Sequence, residues 1–221
     1  MKKICIFFAL AGILLIFSSC CESISNNAKV AVEKAVPGIK HKVLVAYFSE
    51  PLPDGVDAMT SASRVIVNGN WYGSVEYMAD VIGEATGGDL FCIQTTEPYP
   101  STFDALASQA DYERQNNIYP DLAADIENFD DYDVVFVGYP IWWYQMPMPM
   151  YSFFGKYDFA GKTIIPFSSH GGSGWSGTVD AIVKMEADAT IVEGYSISRN
   201  DVGSSKKEIL KWLEQIGMLK K

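Results

Sequence analysis

Histidine is nearly missing from this chain: 221 residues contain two, His41 and His170. A multi-histidine metal centre is therefore out of reach, and no metal cluster or nucleophile–base pair stands out. Cysteine is as scarce where it would matter. Of four cysteines, Cys5, Cys20 and Cys21 crowd the N-terminus and only Cys92 lies further on. No disulfide can close within the fold, and no thiol pair supports redox chemistry. Cys92, in an apparent strand, reads as a small buried hydrophobe. Positive charge is also short: 17 Lys and Arg against 27 Asp and Glu leave a net charge of -10. That balance argues against a nucleic-acid partner, which needs a basic footprint. The shortage is sharpest from Glu97 to Asp133, where ten carboxylates face one base, Arg114. Two readings stand: a solvated helical face, or a docking surface for a basic redox partner with salt-sensitive association. Internal repeats and low-complexity tracts are absent.

What is present begins with an export signal. Lys2 and Lys3 precede an apolar run, Ile4 to Phe17, too short to span a bilayer comfortably. Phe17-Ser18-Ser19-Cys20 then resembles a bacterial lipobox, although Phe17 departs from the usual aliphatic residue. Residues 1–20 are thus expected to be a signal peptide, with lipidation at Cys20. That predicts an exported protein, lipid-anchored to the bacterial cell envelope on the periplasmic side or cell surface. Residues 21–40, with Pro37-Gly38, read as a tether. Residues 41–221 form one domain, large enough for a sizeable core at 48% hydrophobic residues in the whole chain.

Within that domain strand-like and helix-like segments alternate. Apolar runs mark strands at Val43–Phe48, Leu90–Ile93, Val134–Val137, Thr163–Phe167 and within Ala189–Ile197. Gly138 is expected to stop the third, and Pro166 to sit near the end of the fourth. Val75, Met78, Ala79 and Ile82 recur at helical spacing, ending at Thr86-Gly87-Gly88. Ser101–Gln115, Leu122–Phe129, Met150–Phe154 and Thr178–Met185 read as helical. Ser205 with Glu208 suggests a capping box opening a last helix, with Ile209, Trp212, Leu213 and Ile216 as its inner stripe. The pattern predicts an α/β fold: a doubly wound, five-stranded parallel sheet in a three-layer α/β/α sandwich. Strand order 2-1-3-4-5 fits the count, with ligands expected beyond the carboxyl ends of the strands.

Three loops should converge there. After the first strand come Ser49, a long insertion (Glu50 to Tyr72), and Gly73-Ser74-Val75 opening a helix. A helix N-terminus can hold a phosphate without basic residues; simple capping by Ser74 is the alternative. After the third strand come Pro140, Ile141, Trp142, Trp143 and Tyr144. An indole face is a natural partner for a flat, amphipathic ring; packing in the core is the alternative. After the fourth come Ser169, His170, Gly171 and Gly172, whose bare amides suit a ring's polar edge; a plain turn is the alternative.

The chain resembles the flavodoxin family, in the subgroup with a longer first loop. Val43-Leu44-Val45-Ala46-Tyr47-Phe48-Ser49, Thr86-Gly87-Gly88-Asp89-Leu90-Phe91, Gly138-Tyr139-Pro140-Ile141-Trp142-Trp143 and Gly161-Lys162-Thr163-Ile164-Ile165-Pro166-Phe167, with Ser169 to Gly174, carry the resemblance. It implies a flavodoxin-like fold and non-covalent FMN. It implies the phosphate at Ser49, Gly73, Ser74 and Val75, and the ring at Pro140 to Trp143 and Ser169 to Gly172. The usual closing triplet is Gly-Asn-Thr, so Val75 lacks a hydroxyl here. One hydrogen bond lost to a charged group costs about 1.5–3 kcal/mol.

The expected function is that of an FMN-dependent electron carrier or small flavin reductase at the envelope, with a partner protein or a quinone-like acceptor. A net negative protein and an apolar, aromatic pocket should disfavour the anionic reduced flavin and lower its potential. His170 is the candidate catalytic group, able to hydrogen-bond the flavin or a substrate. A binding protein on the same scaffold that no longer uses FMN is the alternative. An NAD(P)H:quinone reductase would further need open space over the ring.

Overall fold

The protein is described here from a computed structural model covering residues 41–51 and 64–220. The expected signal, Cys20, the tether and the middle of the first-loop insertion lie outside the described residues. Strand β1 (Val43–Phe48) forms because six consecutive apolar residues can be buried on both faces. Its side chains alternate between two cores. Leu44, Ala46 and Phe48 face one, with α2 (Phe103–Asn116), α3 (Met148–Lys156) and α4 (Thr178–Met185). Val43, Val45 and Tyr47 face the other, with α1 (Ser74–Thr86) and α5 (Lys206–Gln215). The result is three layers, helices on both sides of one sheet.

The first-loop insertion carries a structured piece. Strands β2 (Arg64–Val67) and β3 (Asn70–Gly73) form an antiparallel hairpin. Its turn residues, Asn68 and Gly69, both have positive φ, 52° and 83°. Asn-Gly between apolar runs is the strongest short hairpin signal, and the reading of 50–72 as a plain insertion passed it over.

The main sheet is parallel throughout. Strands β4 (Asp89–Ile93), β5 (Val134–Pro140), β6 (Thr163–His170), β7 (Thr190–Ile191) and β8 (Tyr195–Ser198) join β1 in the order β4-β1-β5-β6-β7, with β8 also on β6. Counted by predicted strands this is 2-1-3-4-5.

Five local expectations are corrected. Gly138 does not stop β5, which runs on to Pro140. A Cβ there would stand 2.2 Å from Cζ of Phe167, so the glycine makes room for a ring on the neighbouring strand. Pro166 lies inside β6, and the fifth strand is split opposite it. Between Ile164↔Ile191 and Phe167↔Tyr195 the partner advances one residue more than β6, a bulge at Val192–Gly194. Val192 N donates to Ile164 O, so Pro166, two residues on, turns its missing N–H toward that break. Leu122–Phe129 is irregular rather than helical: Leu122 bridges to Thr95, and the chain then turns into a 3-10 helix, Phe129–Asp131. Thr96 N donates to Asp121 O and Ala123 N to Gln94 O, so pairing with the chain after β4 wins over helix propensity. Ser205 makes no capping box, because a 3-10 turn, Val202–Ser204, already leads into α5. Its hydroxyl donates back to Val202 O at 2.7 Å. Lastly, the acidic stretch is not wholly solvated: Glu113 is buried and accepts from the Tyr99 hydroxyl and Gln109 Nε2.

Candidate active site

Loops open at the carboxyl ends of β1, β5 and β6, where open parallel sheets take ligands. Between the last two loops and the inner side of α2 lies a pocket of about 490 Å³. Small-molecule sites span about 300–1,000 Å³. Phe103, Leu106, Ala107 and Ala110 form the α2 wall, Ile141 to Tyr144 a second, and Gly171 to Ser173 a third. A larger groove of about 860 Å³ lies between Tyr119–Leu122 and the end of α3. It shares no residue with the three loops, so size alone does not choose the site.

The second wall is a strained turn. Trp142 N donates to Gln145 O and Gln145 N to Trp142 O, both at 3.0 Å. The two residues between them, Trp143 and Tyr144, have φ of 48° and 63°. This left-handed region suits Asn-Gly, as at Asn68-Gly69, and costs about 1–3 kcal/mol for each bulky residue. The aromatic run divides its work. Trp142 is 6% exposed and packs edge-on to Phe48 and Tyr99, so it belongs to the core as well as the wall. Trp143 is 48% exposed, and its Nε1 donates to Ala107 O, pinning the turn to α2. Pro140 and Ile141 are buried beneath.

The first loop brings Ser49 to the start of α1. A Cβ on Gly73 would stand 2.1 Å from Ser49 Oγ, so a larger residue there would push that hydroxyl aside. Gly73 is the N-cap and Ser74 the first helical residue, so Ser74 does not cap the helix. The Val75 side chain is fully buried among the α1 and α5 residues. Thus the structure brings Ser49 together with Gly73 and the first turn of α1. One group not foreseen sits among them: Glu76 Oε2 accepts the Gly73 N–H at 2.7 Å. A carboxylate three residues after an N-cap is legible spacing. Helix N-termini favour anions, and this one already holds its own. Glu50, nearby in sequence, has its carboxyl pushed up by burial.

The third loop ends β6. His170 Nδ1 accepts the Gly172 N–H at 3.0 Å, so that amide is engaged rather than bare. Burial holds the imidazole below its ordinary value, which favours the neutral form that can accept this bond. Ser169 is fully buried, while Gly171 and Gly172 are exposed at the pocket.

Two orphaned polar groups lie at this pocket: Trp142 Nε1 in its wall, and the Arg199 guanidinium beside Gly171. Among the described residues six have buried side-chain polar atoms with no hydrogen-bond partner: His41, Trp142, Ser152, Ser169, Ser196 and Arg199. Three of these, Trp142, Ser169 and Arg199, lie on or just after the carboxyl-terminal parts of β5, β6 and β8, and Ser196 lies within β8. Each unpaired buried group costs about 1–3 kcal/mol, and such groups gather where a ligand completes them. The residues therefore fit a flat ring with polar edges. At the phosphate end they fit an anion once the Glu76 carboxylate moves aside. Sequence reading missed the α2 wall, Glu76 and Arg199; only the capping-box spacing of Glu76 carried a signal.

The chain was compared with known proteins. The family model described as Flavodoxin matches residues 64–216. None of the curated proteins matches. Among solved structures, a protein described as a flavoprotein from Bacteroides eggerthii is 30% identical, with a TM-score of 0.61, covering 80% of this chain and 98% of that one. A second, from Bacteroides uniformis, is 25% identical with a TM-score of 0.61, covering 79% and 98%. A flavoprotein in complex with FMN from Lactobacillus acidophilus is 16% identical with a TM-score of 0.54, covering 76% and 97%; it shares the fold.

Proposed function

The chain belongs to the flavodoxin family, and from that premise we propose that it binds FMN and works as a redox protein, carrying electrons or reducing a small acceptor such as a quinone. The observation that carries this reading is the pocket walled by Ile141 to Tyr144, Gly171 to Ser173 and α2, with the unpaired Trp142 Nε1 in its wall and the Arg199 guanidinium behind Gly171. When bound, a flavin supplies the redox chemistry; the protein binds, orients and tunes it. Trp143 and Tyr144 form the rim against one side of the ring. Ile141 and the α2 residues exclude water from it. The Ser169–Gly172 loop meets its polar edge, with His170 holding the loop's shape through Gly172. Ser49 and the first amides of α1 receive the phosphate. The lipobox at Cys20 supports a lipid anchor at the cell envelope, and the acidic surface from Glu97 to Asp133 suits a basic redox partner.

One observation favours the second reading, an envelope binding protein that has given up FMN: the Glu76 carboxylate on the Gly73 N–H, where a phosphate would bind. Absorbance of the purified protein before and after adding FMN separates the two. Flavin bands near about 370 and 450 nm that stay with the protein through gel filtration support the redox reading. A colourless protein that does not quench FMN fluorescence at tens of micromolar sinks it. Turnover with NAD(P)H and a quinone then separates a reductase from a carrier.

A further inference from the structure

Among the described residues Arg199 makes no ion pair. It directly follows β8, and its backbone N–H donates to His170 O at 2.9 Å. Its side chain turns toward the same loop: Nη1 lies 3.6 Å and Cζ 3.8 Å from where a Cβ on Gly171 would stand. Gly171 is part of the pocket wall. The guanidinium's Nε and Nη1 are buried and have no acceptor. Ion pairs among the described residues use His41, Lys42, Arg114, Lys156 and Lys206, not Arg199. In a chain of net charge -10, acidic partners are plentiful. A guanidinium does not lose its charge when buried, so its field acts on whatever enters the pocket beside it.

We propose that Arg199 sets the electrostatics of the flavin pocket. Its guanidinium, held behind Gly171, favours the negative charge that a flavin gains on reduction, and so tightens the site for the reduced form relative to the oxidised one. The proposal rests on the FMN reading above. It reverses the expectation, drawn from net charge, that this protein lowers the flavin's potential. Distance decides between the two effects. Exposed carboxylates are screened within a Debye length of about 8–10 Å, whereas a half-buried guanidinium with Nε and Nη1 shielded behind the wall is screened less.

The test is the midpoint potential of bound FMN in the full-length protein, by dithionite titration against reference dyes. Oxidised-FMN affinity is measured alongside by fluorescence quenching. R199Q should lower the two-electron potential by about 30–60 mV, a ten- to hundredfold fall in the ratio of reduced to oxidised affinity at about 30 mV per tenfold. R199K should recover at least half of that shift. G171D, which brings a carboxylate beside an intact Arg199, should lower the potential in the same direction and serves if R199Q does not fold. A flavin-loaded R199Q or G171D with the wild-type potential overturns the proposal. So does R199K shifted as far as R199Q, which would make the role structural. A wild-type protein that holds no FMN overturns the functional reading itself, a result distinct from an unchanged potential.

Discussion

Removing the Glu76 carboxylate should make the protein bind FMN more tightly while leaving riboflavin unaffected. Glu76 Oε2 and Ser49 Oγ lie 3.4 and 2.1 Å from the point where a Gly73 Cβ would stand. A phosphate seated on the Gly73 amide would therefore meet the carboxylate at close range. At about 5 Å and an effective dielectric of about 20, two unit charges repel by about 3 kcal/mol. The side chain escapes that repulsion by swinging into water, which forfeits its bond to Gly73 N–H. A hydrogen bond with a charged partner is worth about 1.5–3 kcal/mol, and rehydration returns part of it. The remaining penalty on phosphate binding is about 1–2 kcal/mol, or about five- to thirtyfold in affinity. Riboflavin has no phosphate and does not displace Glu76. Fluorescence-quenching titrations of wild type, E76Q and E76A with both flavins read the effect as a ratio. E76A should raise the preference for FMN over riboflavin by about tenfold, with E76Q between it and wild type. The unliganded variant should lose about 0.5–1 kcal/mol of stability with its helix cap. An FMN-to-riboflavin ratio that is the same in E76A and wild type refutes the reasoning.

Three further outcomes follow from the same geometry. Trp142→Ala should destabilise the whole fold by about 3–5 kcal/mol, since it empties a core site. Trp143→Ala should weaken flavin binding with a much smaller change in melting temperature, so equal losses of stability in the two variants would contradict the division described. For His170, the folded value lies below the ordinary one of about 6.5. Its contribution to stability is therefore full above that pH and is lost as pH falls through the folded value. Melting temperatures at pH 7.5 and 5.5 should show a larger acid loss in wild type than in H170Q; equal losses would argue against it. The Cys92 thiol is pushed up to about 11, mainly by burial, so little thiolate exists at pH 8. Peptide mapping after brief N-ethylmaleimide treatment at that pH should find Cys92 unmodified, and rapid labelling would show the site to be open.

The layered α/β architecture was legible in the sequence because burial on both faces writes itself as unbroken apolar runs, as in Val43–Phe48, and a helix's inner stripe recurs at fixed spacing, as in Ile209, Trp212 and Leu213. The three loops could be named because they follow those runs, which places Ser49, Gly73, Trp143 and Gly171 at strand ends or at the start of a helix. Local signals failed where a neighbour in space outweighed them. Gly138 reads as a stop, yet Phe167, far along the chain, needs its missing side chain. Leu122–Phe129 has helical character, yet the carbonyl of Gln94 and the amide of Thr96 hold its start extended. Trp143 and Tyr144 carry no turn signal, and only the closed Trp142–Gln145 pair forces them to positive φ. Arg199 is one of 17 bases in composition. What sets its Nε and Nη1, buried and without an acceptor, behind Gly171 is the meeting of β6 with β8, a contact set by hydrogen bonds between strands that no short window of sequence contains.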